Sequence, residues 1–229
     1  HVFVFRMIKG NFSKVLQLAY SLVVMVVKGP QPNFSIETQF RGLICGIDEA
    51  GRGSLAGPVV AAAVILDQDR TPDGITDSKL LTQVKREHLF RKITTQAAIA
   101  VGFSEVEEID KINILNATLA AMGRAVDNLT PAPAVALVDG NHSPKLDCSA
   151  HTVIGGDRLS LSIAAASIVA KVTRDHLMMD LARAYPGYGW EHNAGYGTSE
   201  HLAALASHGV TPHHRRSFAP VVRASRSTN

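Results

Sequence analysis

Asp48 and Glu49 close an apolar, β-branched run in "LICGIDEAGRG", Asp139 closes another in "AVALVDG", and Asp175 breaks the apolar side of "AKVTRDHL". Acids at the ends of separate strands can converge at the open edge of an α/β sheet, where ligands collect. Four carboxylates with no matching group of His or Cys suit hard, oxygen-preferring cations, Mg2+ or Mn2+ rather than Zn2+. Two such ions held side by side would clamp the attacking and leaving oxygens of a phosphodiester. Strand alternation sends Asp48 and Glu49 to opposite faces, so they share a site only where the strand twists or ends, and Gly51 offers such an end. The plainer readings are a solvated strand end, a simple Asp139-Gly140 turn, and an i, i+4 ion pair between Lys171 and Asp175.

Gly51 and Gly53 flank Arg52 and leave its main-chain N–H and C=O groups open to close approach by a ligand. "GRGSLA" after a strand also fits the dinucleotide fingerprint, with Asp67 or Asp69 nearly far enough on for a ribose contact. The context excludes that reading. Pro58 and "VVAAAVIL" continue as strand where the fingerprint needs a helix, and acids ahead of the first glycine would repel a pyrophosphate.

The elements that position these residues follow from periodicity. "PVVAAAVIL" is a strand buried on both faces. Ser78 is expected to cap a helix through "KLLTQVKREHLFRKITTQ", with Leu80, Leu81, Val84 and Leu89 at helical spacing. "AIAVGFSEV" reads as a strand and "EEIDKINILNATLAAMGRAVDNL" as a helix. "AVALVDG" and "HTVIGG" follow as strands. "LSIAAASIVAKVTRDHLMMDLARAY" is a long helix whose small residues permit close packing on a sheet, and "SEHLAALASHG" is a last helix. This alternation specifies an α/β fold with a mixed central sheet flanked by helices.

The 229-residue chain, 46% apolar and 19% charged, has the composition of a globular protein with a full core. Its formal charge of +3 permits a polyanionic partner without demanding one. Cys45 and Cys148 are too few for a disulfide framework and read as reduced thiols, which favours a cytoplasmic location. Residues 1–40 read as an N-terminal extension, divided from the rest at "KGPQPN". The apolar run Val15 to Val27 falls short of the roughly 20 residues that span a bilayer, and no cleavage site follows it. Residues 1 to about 30 are taken as non-native or upstream-read sequence, in preference to an amphipathic helix or a targeting signal. Residues 41–223 form the expected catalytic domain and 224–229 a tail.

"GIDEAGRG" (46–53), "DSK" (77–79), "INILNAT" (112–118), "LVDG" (137–140), "AAASIVAKVTRD" (164–175), "GYGT" (195–198) and "HGVTPHHRRSFAPV" (208–221) together resemble the ribonuclease HII family, in order, over roughly residues 42 to 222. The resemblance implies an RNase H-like fold with a C-terminal helical extension. It implies a monomeric endonuclease, not associated with membranes, that uses Mn2+ or Mg2+. Its substrates would be RNA/DNA hybrids and duplex DNA containing single ribonucleotides, nicked 5′ of the ribonucleotide to leave 5′-phosphate and 3′-hydroxyl ends. The family's catalytic and metal-binding acids fall on Asp48, Glu49, Asp139 and Asp175, with Asp48 bridging two ions.

The same resemblance implies roles for further residues. The main chain of Gly51-Arg52-Gly53 would touch the ribose 2′-hydroxyl, the group that separates RNA from DNA, while Arg52 holds a phosphate. Tyr196 would stack on the sugar of the following deoxynucleotide. Ser78 and Lys79 would contact phosphate, and His213, His214, Arg215 and Arg216 would extend that track. Leu80, Gly155 and Ala194 stand where many members carry lysine. A ribonuclease HIII would have lysine at Arg52 and a larger N-terminal domain. A non-catalytic hybrid-binding protein and a type 1 ribonuclease H are the competing readings.

Overall fold

A computed structural model describes residues 31–227. Val59–Ile65 forms strand β2 with every side chain buried, as an Ala/Val run covered on both faces requires. β2 lies between two antiparallel neighbours, β1 (Ile44–Ala50) and β3 (Ala98–Ser104). Beyond β1, β4 (Val135–Asp139) and β5 (Ser149–Val153) continue the sheet in parallel, giving the order β3-β2-β1-β4-β5.

Among the described residues, six α-helices follow in chain order: α1 (Gln83–Gln96), α2 (Val106–Asp127), α3 (Leu161–Ala184), α4 (Trp190–Asn193), α5 (Ser199–His208) and α6 (Ala219–Ser227). Strand alternation divides the sheet's side chains between two helical layers. Cys45, Ile47, Ala61 and Ala63 pack on one side with Ala121 and Ala125 of α2. Ala62 and Val64 pack on the other with Leu89 and Ile93 of α1 and Ala165, Ile168 and Val169 of α3. Helix α3 approaches β1 so closely that a Cβ on Gly46 would lie 2.0 Å from the carbonyl carbon of Ser162.

Four differences from the expected elements have physical causes. β1 continues through the acids to Ala50, because Asp48 and Glu49 stay paired opposite Ala62 and Ala61. Helix α1 begins later than expected and is capped by Thr82, whose hydroxyl accepts from the Lys85 amide. Ser78 instead opens a 3-10 turn, Ser78–Leu80, closed by the Asp77 side chain accepting from the Lys79 amide. Asn113 interrupts α2 at φ 68°, and its side-chain oxygen accepts from the amides of Leu115 and Asn116 to restart the helix. The residues read as a tail lie partly in α6.

The boundary at residue 40 also moves. The packed unit begins at Pro32, and Glu37, 3% exposed, accepts from the Ser160 hydroxyl at 2.7 Å and the Ser162 amide at 3.0 Å. The reading of residues 1–30 lies outside the described residues. Among those described, no helix is long and apolar enough to cross a membrane.

Two glycines should respond with opposite signs. Gly46→Ala forces helix α3 off the sheet and should destabilise the fold by about 3 kcal/mol. Gly123→Ala, in α2 with nothing within 4 Å of the added Cβ, should stabilise it by roughly 0.5–1 kcal/mol. Urea denaturation of both variants measures the pair.

Candidate active site

Parallel register sets the first contact of the site. Ile47 lies opposite Val138, so the next step of the ladder brings Asp48 beside Asp139, both toward the α3 layer. Asp48 is 5% exposed, and its Oδ1 accepts from the Glu49 amide at 2.7 Å. The Asp139 Oδ1 accepts from the Gly156 amide at 2.7 Å. Glu49 leaves the strand on the opposite side, where its Oε1 accepts from Arg52 Nη1 at 3.3 Å.

Asp157, buried in the 3-10 turn Gly156–Arg158, adds a further acid to this corner. Burial pushes Asp48 well above the usual carboxylate range, and the negative charges of Glu49 and Asp139 push it further. Burial also raises Glu49, against the pull of Arg52. For Asp157 burial acts first, then Asp77 and Asp139. Desolvation pulls down on Lys79, a largely exposed side chain whose Nζ lies 3.7 Å from Asp157, yet Asp77, Asp48, Asp157 and Asp139 together hold its pKa above the ordinary lysine value. The corner holds more negative than positive charge.

Helix α3 forms the wall. Ser167, Lys171 and Asp175 recur at i, i+4 and i+8 and so share one stripe. The Ser167 hydroxyl accepts from the Ser78 amide at 3.2 Å. Asp175 is held by Lys171 at 2.6 Å and by Arg86 at 3.8 Å, so the ion pair weighed from spacing is formed. Arg86 also donates to the carbonyls of Ser78 and Leu81. The structure thus brings together Asp48, Glu49 and Asp139, and sets Asp175 farther along the same wall, bound to cationic side chains.

The glycine loop is fastened from beneath. Gly51 adopts φ 94°, and a Cβ there would lie 2.0 Å from Arg174 Nε. Arg174 is 1% exposed and donates to the carbonyls of Pro58, Ala194 and Ala56. Arg215 is 0% exposed and donates to the carbonyls of Gly57 and Arg52. Burial, with the nearby charge of Arg174, lowers Arg215 to about 9. Arg215 therefore braces the loop and offers no guanidinium to a phosphate, contrary to the expectation from sequence. His214 is likewise fully buried. Arg216 is exposed, while its amide and that of Ser217 donate to Asp110. The half-exposed Tyr196 ring stands over Gly53, its Cε1 3.6 Å from where a Cβ would be.

A cleft of about 370 Å3 runs between these parts, lined by Asp48 to Gly53, Ser78, Lys79, Ser167, Lys171 and Tyr196. Its donors are carboxylate oxygens, chemistry that fits a hard divalent cation, and the charge imbalance at Asp48 is what such an ion would relieve. Among the described residues, no three acid, His or Cys side chains are already arranged to hold an ion. Sequence reasoning missed Arg174, Asp157 and Arg86. Arg174 carried a signal, since it shares the buried phase of Ala170 and Met178 at four-residue spacing on α3.

The fold is that of the RNase H class: the ribonuclease H2 of Pyrococcus horikoshii OT3 superposes with a TM-score of 0.68 at 27% identity, covering 80% of this chain and 97% of that one. Ribonuclease HII of Paramagnetospirillum magneticum is 58% identical over 84% of this chain and 98% of its own. That of Jannaschia sp. is 54% identical over 84% and 97%. The sequence profile described as Ribonuclease HII matches residues 45–221. The chain belongs to the ribonuclease HII family, and it is a ribonuclease H, an endonuclease for the RNA strand of RNA/DNA hybrids.

Because burial raises Asp48 in the fold, the folded chain holds that proton more tightly than the unfolded chain, and ionisation as the pH rises weakens the fold. Asp48→Asn should raise the thermal midpoint by roughly 2–4 °C in metal-free buffer near neutral pH. The gain should shrink as the pH is lowered. Asp67→Asn, at an exposed ion pair with Arg70, should leave the midpoint within about 1 °C. Thermal unfolding at two pH values reads both.

Proposed function

We propose that this ribonuclease HII nicks duplex DNA 5′ of embedded ribonucleotides, as well as hydrolysing RNA in hybrids, by two-metal-ion catalysis with Mg2+ or Mn2+. The products would carry 5′-phosphate and 3′-hydroxyl ends, and the activity would remove ribonucleotides from DNA. The observation that carries the reading is the placement of a glycine-flanked backbone between a crowd of buried carboxylates and the Tyr196 ring. Asp48, Glu49 and Asp139 would hold the cations, with Asp175 of the α3 wall as the fourth ligand. Bound there, divalent cations supply neutralisation of the phosphate charge in the transition state.

The chain's own groups do the rest. Gly51 and Gly53 let main-chain groups reach the ribose 2′-hydroxyl, which a side chain at either position would block. Arg52, half-exposed beside Glu49, would hold the phosphate across the junction, and Ser78 and Lys79 would hold its neighbour. Tyr196 would lie on the next sugar, where a second hydroxyl would not fit. Arg216 would extend the phosphate contacts at the surface. A genomic substrate and a reduced thiol pair support a cytoplasmic location.

Three duplexes test this: one with a single ribonucleotide, one uniform RNA/DNA hybrid and one all-DNA control, each with Mg2+, Mn2+ or EDTA. Cleavage should occur 5′ of the single ribonucleotide, need a divalent ion, and spare the all-DNA duplex. Asp139→Asn should lower turnover by at least ~1000-fold, since several kcal/mol of charge stabilisation is lost, while binding of the single-ribonucleotide duplex survives. Full activity in that variant, or cutting in EDTA, refutes the assignment.

A further inference from the structure

Behind Tyr196 lie two histidines that the reaction does not touch. His201 of α5 and His214 of the C-terminal segment are both 0% exposed, with their Nε2 atoms 3.0 Å apart. Their protonation states can be read from their neighbours. The Trp190 indole N–H only donates, and it lies 3.1 Å from His201 Nε2. His201 Nε2 therefore accepts, and its proton sits on Nδ1, which donates to the Tyr196 carbonyl at 3.0 Å. His214 Nε2 must then be the donor to His201. That leaves His214 Nδ1 to accept from the Thr211 amide at 3.0 Å and the Thr211 hydroxyl at 2.9 Å.

Each ring nitrogen thus has one assigned role, and both rings are neutral, in opposite tautomers. A second proton on either ring would set two donors face to face. Burial acts the same way, and with the neighbouring His201 and His213 it holds His214 down to about 3. The titratable groups that face the pair are Tyr188, whose ring lies 5.0 Å from His214 and 6.2 Å from His201, Glu200 and His213.

The relay joins the two sides of the cleft. At one end, His214 bridges to Ala56, and the Arg215 amide donates to Leu55, so the segment lies along the glycine loop. At the other end is the main chain of Tyr196, whose carbonyl is also held by the Thr198 amide at 2.8 Å. We infer that His201 and His214 are positioning residues for substrate discrimination: their relay fixes the Tyr196 main chain, and so the ring's distance from Gly53, where the sugar at the junction must be judged. This inference rests on the proposed role of Tyr196.

The test reads a ratio: kcat/KM on the single-ribonucleotide duplex divided by kcat/KM on the uniform hybrid. His201→Leu should lower that ratio roughly tenfold, the size of effect that a small misplacement produces. His201→Asn, which keeps a donor near the Nδ1 position, should restore it to within about twofold of wild type. In a Tyr196→Ala background, His201→Leu should change the ratio no further. If Tyr196→Ala itself leaves the ratio unchanged, the reading of Tyr196 fails. If Tyr196→Ala lowers the ratio while His201→Leu lowers only the thermal midpoint, the relay is purely structural and the inference is overturned. A second measurement needs no variant to fold. Nitrogen-15 NMR of the wild-type chain should find Nδ1–H on His201 and Nε2–H on His214, unchanged from about pH 6 to 8, across the ordinary histidine range. Identical tautomers, or a charged ring in that range, would also overturn it.

Discussion

Two guanidinium groups without carboxylate partners hold this site in shape. Arg174 and Arg215 are buried, and their side chains donate to main-chain carbonyls: Pro58, Ala194 and Ala56 for one, Gly57 and Arg52 for the other. A buried cation is costly unless its donors are met. A guanidinium offers five donors in a fixed plane, and charge-assisted bonds to carbonyls are stronger than neutral ones. The carbonyls of Arg52, Ala56, Gly57 and Pro58 are thereby drawn inward, with that of Ala194, around two flat ions. The glycines follow from this: Gly51 has no room for a side chain above Arg174.

The acids obey the opposite constraint. Asp48 and Asp139 are neighbours because each follows the last paired step of two parallel strands, Ile47 opposite Val138. Their repulsion is answered only in part by Lys79, while Arg52 attends to Glu49. Asp175 is stabilised as it stands, by Lys171 and Arg86, so the wall is self-neutralised where the strand ends are not. Such a division leaves a strong local field in the cleft, beside a rigid polar loop, which is the arrangement that electrostatic catalysis uses.

Much of the scaffold was legible because it depends on local pattern. The Val59–Ile65 run could only be a strand covered twice, and the alanine-rich stretch of α3 had to lie close to something flat. The strand-end acids and the Gly-Arg-Gly element were equally plain, since residue type and neighbours carry the message. What escaped was tertiary. Ser78 has the residue type of a helix cap, but it opens a separate turn that Arg86 ties to α1 and Ser167 ties to α3. Asn113 breaks a helix that its neighbours' spacing favours. Arg215 resembles a surface arginine in a basic run, and nothing in its surroundings along the chain announces a cage of carbonyls contributed from residues more than 150 positions earlier. Glu37 was lost the same way, its partners Ser160 and Ser162 lying far along the chain.

That long-range cage has a bearing on how the polypeptide is made. Translation delivers the strand-end acids and the glycine loop well before the arginine that seats the loop. A nascent polypeptide halted before its 215th residue would expose the acidic pieces of a nuclease while lacking the fastening that aligns them. Cutting ability would thus wait on a residue made more than 150 positions after the loop it seats.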